Sequence, residues 1–275
     1  MRPFLAILPA LAGCVTYAQH RAAFVPHATP IPHDGQPLEG QGEAALGAVN
    51  MADLHRPSAG ADNVGDAVPN TTLRGEIDLR ATKDFSLGLV HEHGLEATAR
   101  PVTTSQPPVN GGDVSGTGVT FQYSLKLGSP GWRLGLGTEL LFWAVPWVQY
   151  TTCVSDNCPV QGWTTTSSGT DVVPTLATSV TPSYRSGRFT VFGGVTLRNH
   201  PTIPEKIETN TPDSDADVQA GPYNITFHGG AAVELGAGIR ALLFVHQTVT
   251  IDPIRYWPGV GLMLSIPLGR DANPT

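Results

Sequence analysis

The sequence predicts an all-β protein of about ten antiparallel strands, and three observations lead to that prediction. Charged residues make up only 14 % of the 275 residues, while Gly (31) and Pro (24) are abundant, a composition that excludes a helical bundle or a coiled coil. Alternation of apolar and polar residues with period two, typical of strands, recurs ten times. The connections between these runs alternate between short and long, as expected for a chain of hairpins.

The clearest alternating run covers residues 72–80, where Leu73, Ile77 and Leu79 share one face and Arg74, Glu76, Asp78 and Arg80 share the other. Each run is about as long as a tilted membrane strand, which needs about 9–11 residues. The remaining runs lie at 43–52, 85–93, 119–127, 132–147, 172–184, 188–198, 223–235, 239–247 and 259–268.

The lengths of the connections distinguish the two ends of the predicted sheet. Short turns are expected at Thr82, Ser129-Pro130, Ser186-Gly187 and 236–238. Long loops are expected near 54–70, 96–115, 150–170 and 200–222, with a shorter one near 251–256. This organisation resembles that of bacterial outer-membrane β-barrels over residues 43–268. The resemblance implies a closed, antiparallel, up-and-down transmembrane β-barrel of about ten strands, whose apolar face contacts outer-membrane lipid and whose polar face lines the lumen.

Hairpin register and aromatic placement agree with a single apolar face. We expect the short hairpins to pair Leu79 with Phe85, Leu125 with Leu134, Tyr184 with Phe189, and Glu234 with Arg240. Aromatic girdles at the two membrane interfaces are expected from Phe85, Trp132, Tyr184 and Phe189 at the short-turn end, and from Trp143, Trp147, Tyr223, Tyr256 and Trp257 at the long-loop end.

The polar face predicts a lumen that carries charges of both signs. The expected lumen charges are Arg74, Glu76, Asp78, Arg80, Lys126, Arg133, Glu139, Arg198, Glu234 and Arg240. In a narrow barrel such charges form ion pairs across the lumen, which must offset the cost of desolvation. Two interpretations stay open: the charges fill the lumen structurally, or they line a small pore with a weak preference for anions.

The N-terminus reads as a bacterial export signal. Residues 1–13 have one Arg followed by a short apolar stretch, and Leu11-Ala12-Gly13-Cys14 resembles a lipobox, which implies lipidation of Cys14. Cleavage after Ala18 is the alternative. With residues 1–13 as signal peptide, we expect a lipidated N-terminus and flexible tether over 14–42, a barrel over 43–268, a C-terminal tail over 269–275, and localisation in the bacterial outer membrane.

Cysteine and histidine positions predict a disulfide and no metal site. Cys153 and Cys158 fall in the third long loop, where an oxidising compartment would pair them. His91 and His93 share a strand face but lack a matching carboxylate geometry. The calcium-like series Asp213, Asp215 and Asp217 fails because Val218 stands where such a loop needs Gly. No metal or other cofactor is expected.

These observations predict an outer-membrane β-barrel (lipo)protein with a structural or surface-binding role through its long loops. The alternatives are a narrow pore for small solutes, and a lipid-anchored soluble β-barrel or sandwich that binds a ligand in the periplasm. No nucleophile elbow, P-loop or zinc-protease helix is present, so we expect no catalytic residues and no enzyme. The expected partners are outer-membrane lipid and an extracellular ligand or cell-envelope partner. The net charge of −7, without a basic block, excludes nucleic acid, and the chain is expected to be a monomer.

Overall fold

The computed structural model of the chain describes residues 17–26, 29–38, 40–51, 66–67, 69–97, 113–153, 163–202, 208–209, 219–236, 238–251 and 254–269. Its strands are β1 (Tyr17–Phe24), β2 (Gly42–Met51), β3 (Asp66–Ala67), β4 (Pro69–Arg80), β5 (Phe85–Ala97), β6 (Val114–Lys126), β7 (Trp132–Cys153), β8 (Trp163–Ser186), β9 (Phe189–Thr202), β10 (Glu208–Thr209), β11 (Gln219–Gly236), β12 (Ile239–Ile251) and β13 (Ile254–Leu268). Within this part of the chain, no helix is long and apolar enough to cross a bilayer.

Ten of these strands form one closed ring. Each of β2, β4, β5, β6, β7, β8, β9, β11, β12 and β13 pairs antiparallel with its neighbours in chain order, and β13 pairs back to β2. The predicted antiparallel up-and-down barrel of ten strands is confirmed. Closure gives every wall strand a hydrogen-bonded neighbour on both sides, so the wall has no open edge along its paired length.

The outer surface of the ring is apolar. Along β5, Leu87 and Leu89 are exposed, while Ser86 and Val90 point inward and are buried. The same alternation continues around the barrel, so the outward residues form an apolar belt. Its exposed members include Leu46, Leu73, Ile77, Leu79, Phe121, Leu125, Leu136, Leu176, Val180, Val191, Leu197, Phe227, Leu243, Val245, Leu262, Leu264 and Ile266.

The short hairpins match the expected register at two of four positions. Leu125 pairs with Leu134, and Glu234 pairs with Arg240. The other two predictions are wrong by two residues: Leu79 pairs with Leu87, and Tyr184 pairs with Val191. A two-residue shift leaves every side chain on the same face, so these errors do not change which residues point into the lumen.

On the long-loop side, one hairpin extends beyond its neighbours. The sequence predicted a loop near 150–170, but β7 continues to Cys153 and β8 begins again at Trp163. β1 pairs antiparallel with the far part of β7, from Ala23 opposite Trp147 to Tyr17 opposite Cys153. Two short strands, β3 and β10, add to β1. We call this extension the rim sheet.

Residues 29–38, which the sequence assigned to a flexible tether, instead lie buried inside the barrel. After β1, the chain enters the lumen at the long-loop end and leaves it at the short-turn end. There the Gln41 amide donates to the carbonyl oxygen of Leu268, beside the start of β2. We call residues 29–38 the lumen segment. Its lack of periodicity, the basis for the tether prediction, is compatible with an extended chain that satisfies its polar groups on the surrounding wall.

Candidate functional site: the filled lumen

Two arginines and three glutamates form a buried cluster halfway along the barrel. Arg74 Nη1 lies 2.5 Å from Glu92 Oε1, and Arg74 Nη2 lies 2.6 Å from Glu139 Oε2 and 2.8 Å from Glu76 Oε2. Arg198 Nη1 lies 3.2 Å from Glu92 Oε2, and Arg198 Nη2 bonds Glu139. Each guanidinium therefore binds several carboxylates, so the cluster forms one network rather than separate pairs.

The cluster follows from strand alternation on four different strands. Arg74 and Glu76 lie two apart on β4, Glu92 is opposite Arg74 in the register of β5, and Glu139 and Arg198 come from β7 and β9. Both arginines are almost fully enclosed, Arg74 with 1 % of its surface exposed and Arg198 with 2 %. Removing one member would leave buried charges uncompensated, which makes the network a strong constraint on the lumen.

Glu92 was not among the predicted lumen charges. The sequence drew attention to the neighbouring His91 and His93, which were considered and rejected as metal ligands, although residue 92 has the parity of the lumen face of β5, opposite to that of Leu87 and Leu89. The structure places His91 outward, with Nδ1 2.8 Å from Thr117 Oγ1, and His93 Nε2 lies 3.8 Å from Asp113. Alternation alone could have identified Glu92 as the lumen residue.

Six further predicted lumen charges lie nearer the short-turn end. Asp78 is buried, Arg133 Nη1 lies 3.0 Å from Asp84, and Glu234 bonds Arg185. Arg80 donates to the carbonyl oxygen of Leu38 at 3.2 Å, and Arg240 pairs with Asp34 of the lumen segment. Lys126 is exposed at the end of β6.

The lumen segment is held by polar contacts to several wall strands. Asp34 pairs with Arg240 of β12, and Gln36 Nε2 donates to Ser183 Oγ of β8 at 2.9 Å. Ser124 Oγ of β6 donates to the carbonyl oxygen of Gly35 at 2.7 Å. Thr29 Oγ1 donates to Glu92 at 3.4 Å, which joins the segment to the central cluster.

Two glycines allow the lumen segment to lie close against the inner face of the wall. Gly35 has a φ of 73°, and a Cβ there would lie 2.6 Å from the carbonyl oxygen of Thr181. A Cβ at Gly135 of β7 would lie 2.5 Å from the Gly35 Cα. Both contacts involve backbone, which cannot rotate away as a side chain can. Segment and wall therefore fit only because neither residue has a side chain.

Apolar residues fill much of the remaining lumen. One cluster, toward the long-loop end, contains Val25, Val90, Val114, Leu141, Trp143, Val145 and Val173, and Trp147 packs against it. A second contains Val49, Met51, Phe192, Ala232, Leu242, Phe244, Trp257 and Met263. The girdle prediction is therefore wrong for Trp143, Trp147 and Trp257, which face inward. The indole Nε1 of Trp143 donates to Thr175 and that of Trp147 donates to Asp171.

A small cavity of about 40 Å³, partly open to solvent, remains between the lumen segment and the wall at the short-turn end. Asp34, Glu43, Glu76 and Asp78 line it together with Arg240. Glu76 belongs to the central cluster, so the cavity reaches that cluster from the short-turn end.

Two predicted features remain predictions. Cys14 and Cys158 lie outside the described residues, so neither lipidation nor the Cys153–Cys158 disulfide is tested.

His228 and His246 are opposite each other in the register and are buried in the lumen. Among the residues that the structure describes, no group of three or more His, Cys, Asp or Glu could hold a metal ion.

Comparisons with known proteins do not identify a family for this chain. No family model matches the chain, and no curated protein matches it. Among solved structures, the chain is similar to the translocator domain of the autotransporter NalP from Neisseria meningitidis, with 10 % identity over 86 % of this chain and 91 % of that chain, and a TM-score of 0.41. LpxR from Salmonella typhimurium has 10 % identity over 82 % of this chain and 100 % of that chain, and a TM-score of 0.42. The outer membrane protease OmpT from Escherichia coli has 9 % identity over 92 % of this chain and 96 % of that chain, and a TM-score of 0.37. The likeness is one of strand architecture alone.

Proposed function

We propose that this chain is an outer-membrane β-barrel protein with a filled lumen and a structural or surface-binding role on its long-loop side. The observation that carries the proposal is the inverted distribution of polarity: the apolar belt faces outward, while Arg74, Glu92, Glu139 and Arg198 are enclosed. A barrel that is soluble in water places its apolar face inside. Lipid suits this outer surface because the surface is apolar, and because ring closure gives each wall strand a hydrogen-bonded neighbour on both sides.

The same observation separates the proposal from its alternatives. A soluble, lipid-anchored barrel would expose residues such as Leu46, Leu89 and Phe189 to water over the whole circumference, a patch far larger than soluble monomers carry. A narrow pore is less favoured, because the lumen segment and the central cluster occupy the middle of the barrel. The role is proposed to be non-catalytic, since the enclosed carboxylates of Glu92 and Glu139 are bound by two arginines.

The long-loop side is where a surface-binding role would lie. In barrels of this class the short turns face the periplasm and the longer loops face the medium. Here the rim sheet projects on that side, and β8 presents an exposed, hydroxyl-rich stretch over residues 164–168. A hydrogen-bonded sheet that continues from the barrel wall offers a partner a surface that is already formed before binding.

Substitution of one belt residue tests the membrane placement. Leu89 is 63 % exposed and lies in the middle part of β5, so Leu89→Arg should cost about 2–4 kcal/mol of folding free energy in a bilayer. Leu125→Arg, one residue from the end of β6, should cost about 0–1 kcal/mol, because it lies near the interface. The measurement is urea unfolding in lipid vesicles, in which the folded fraction is read from the difference in gel mobility between folded and heat-denatured protein. Leu89→Met is the control. Equal stability of Leu89→Arg and Leu89→Met would remove the lipid-facing assignment.

A further inference from the structure

The path of the chain places the two ends of the barrel domain on opposite sides. The ring itself starts at Gly42 and finishes at Leu268, both at the short-turn end. A ring with an even number of strands normally leaves both ends of its chain there. In this protein the chain before Gly42 returns through the lumen, so Phe24 and β1 lie at the long-loop end.

The lumen segment is long enough to make this crossing. From Val25 to Gly40 the chain advances 15 residues (40 − 25), which span up to about 50 Å when extended. The apolar band of an outer-membrane barrel is about 25 Å tall. At one end Val25 belongs to the same apolar cluster as Val114 and Val145, the cluster toward the long-loop end. At the other end the carbonyl oxygen of Leu38 accepts a hydrogen bond from Arg80.

The contacts of the segment show a fitted path through the barrel. Its polar groups bind side chains on opposite parts of the wall: Ser124 Oγ of β6 donates to the carbonyl oxygen of Gly35, and Arg240 of β12, five strands away around the ring, pairs with Asp34. The wall in turn has glycine at position 135, where a Cβ would lie 2.5 Å from the Gly35 Cα. Beyond the lumen, seven residues of β1 pair in register with β7, which fixes the emerging chain to the rim sheet.

We propose that the barrel carries its own N-terminal sequence across the membrane through its lumen and displays it on the long-loop side. This inference rests on the proposed function, because it requires the barrel to span a membrane. Residues from Phe24 toward the N-terminus, together with any sequence that precedes Tyr17 in the mature protein, are then on the outer face. The C-terminal end of the ring, at Leu268, remains on the inner face.

Epitope accessibility on intact cells tests the proposal. One epitope is inserted between Ala18 and Gln19, where it stays in the mature chain whether cleavage precedes Cys14 or follows Ala18. A second is inserted after Gly269, a third in the short turn between Ser129 and Pro130, and a fourth in the long loop between Asp156 and Asn157, each in a separate variant. We expect antibody to bind the first and fourth on intact cells, and the second and third only after permeabilisation. Only variants that keep the heat-dependent gel shift of the folded barrel are scored.

The outcomes distinguish failure of the inference from failure of the proposed function. If the first epitope behaves like the short-turn epitope while the long-loop epitope is reached on intact cells, the barrel spans the membrane but does not display its N-terminus. If all four epitopes become accessible together, or the protein is released without detergent, the proposed membrane barrel itself is wrong.

Single-cysteine labelling provides a second measurement that needs no insertion. In a Cys153→Ser/Cys158→Ser background, Gln19→Cys on β1 and Lys126→Cys at the short-turn end of β6 are compared with their parent. A membrane-impermeant maleimide should label Gln19→Cys in intact cells and Lys126→Cys only after permeabilisation. Labelling of both variants only after permeabilisation would overturn the display of β1.

Discussion

At the residue scale, glycine positions record where the lumen segment touches the wall. Gly135 and Gly35 approach each other so closely that a Cβ on Gly135 would lie 2.5 Å from the Gly35 Cα. Gly75 offers a contrast on the same barrel, because a Cβ there meets nothing within 4 Å. Substitution of Gly135 therefore introduces a collision with the lumen segment, whereas substitution of Gly75 changes a glycine without such a collision.

We expect Gly135→Ala to destabilise the folded barrel by about 1–3 kcal/mol, the usual cost of forcing extra atoms into a packed interior. The reason is that the added methyl group must push the backbone of Gly35 away from the wall. The measurement is the temperature at which the folded gel band is lost. Gly75→Ala is the matched control and should melt close to wild type; an equal shift in both variants would show that the crossing does not matter.

The second prediction at the residue scale concerns Arg74, which binds three carboxylates of the central cluster. Arg74→Met removes the ion pair of Glu76 and leaves Glu92 and Glu139 with the guanidinium of Arg198. Breaking such a buried network by removing one partner costs about 3–5 kcal/mol. Urea unfolding in lipid vesicles measures the effect. Lys126→Met, at an exposed position, should change stability by less than about 0.5 kcal/mol. Similar midpoints for the two variants would contradict a structural role for the cluster.

At the scale of elements, the lumen segment depends on the wall for its position. Asp34 and Arg240 are the oppositely charged pair that joins it to β12. Asp34→Arg and Arg240→Asp each place two like charges together in a confined space, so each should lower the melting temperature of the barrel. The double variant restores an opposite-charge pair in reversed order.

We expect this double variant to recover much of the stability lost by the single variants, measured as a coupling in a double-mutant cycle. Additive losses in the cycle would mean that the two side chains do not interact, and the lumen position of the segment would lose one of its principal supports.

Elements also show what the sequence could and could not predict. The wall strands were predictable because alternation fixes a face for residues such as Leu87 and Leu89, even where the turn was misplaced by two residues. The lumen segment was not predictable, because an extended chain that is enclosed on all sides shows neither the two-residue period of a strand nor the 3.6-residue period of a helix. For the same reason Trp143 was misplaced: a large aromatic residue near a strand end suits a membrane interface as well as a filled lumen.

At the scale of the whole molecule, the filled lumen predicts little conduction. The lumen segment and the central cluster occupy the same middle region, so the intact protein should show no stable channel in a planar bilayer. A variant lacking residues 29–38, with the flanking chain rejoined, provides the comparison if it retains the folded gel shift. Steady conductance from the intact protein would favour the narrow-pore alternative over the proposed filled barrel.

A chain threaded through its own ring also restricts the order of assembly. Ring closure joins β2 to β13, strands at opposite ends of the barrel sequence, and contacts of such long range form slowly. The lumen segment is covalently continuous with β2 and is therefore present at the first wall strand while the others are added. The ring can close around it, whereas entry after closure would require β1, already held at one mouth, to be drawn through a lumen that Trp143 and Arg74 narrow. The lumen segment is thus expected to take its place early in assembly, before β2 and β13 pair, and the closed ring then retains it.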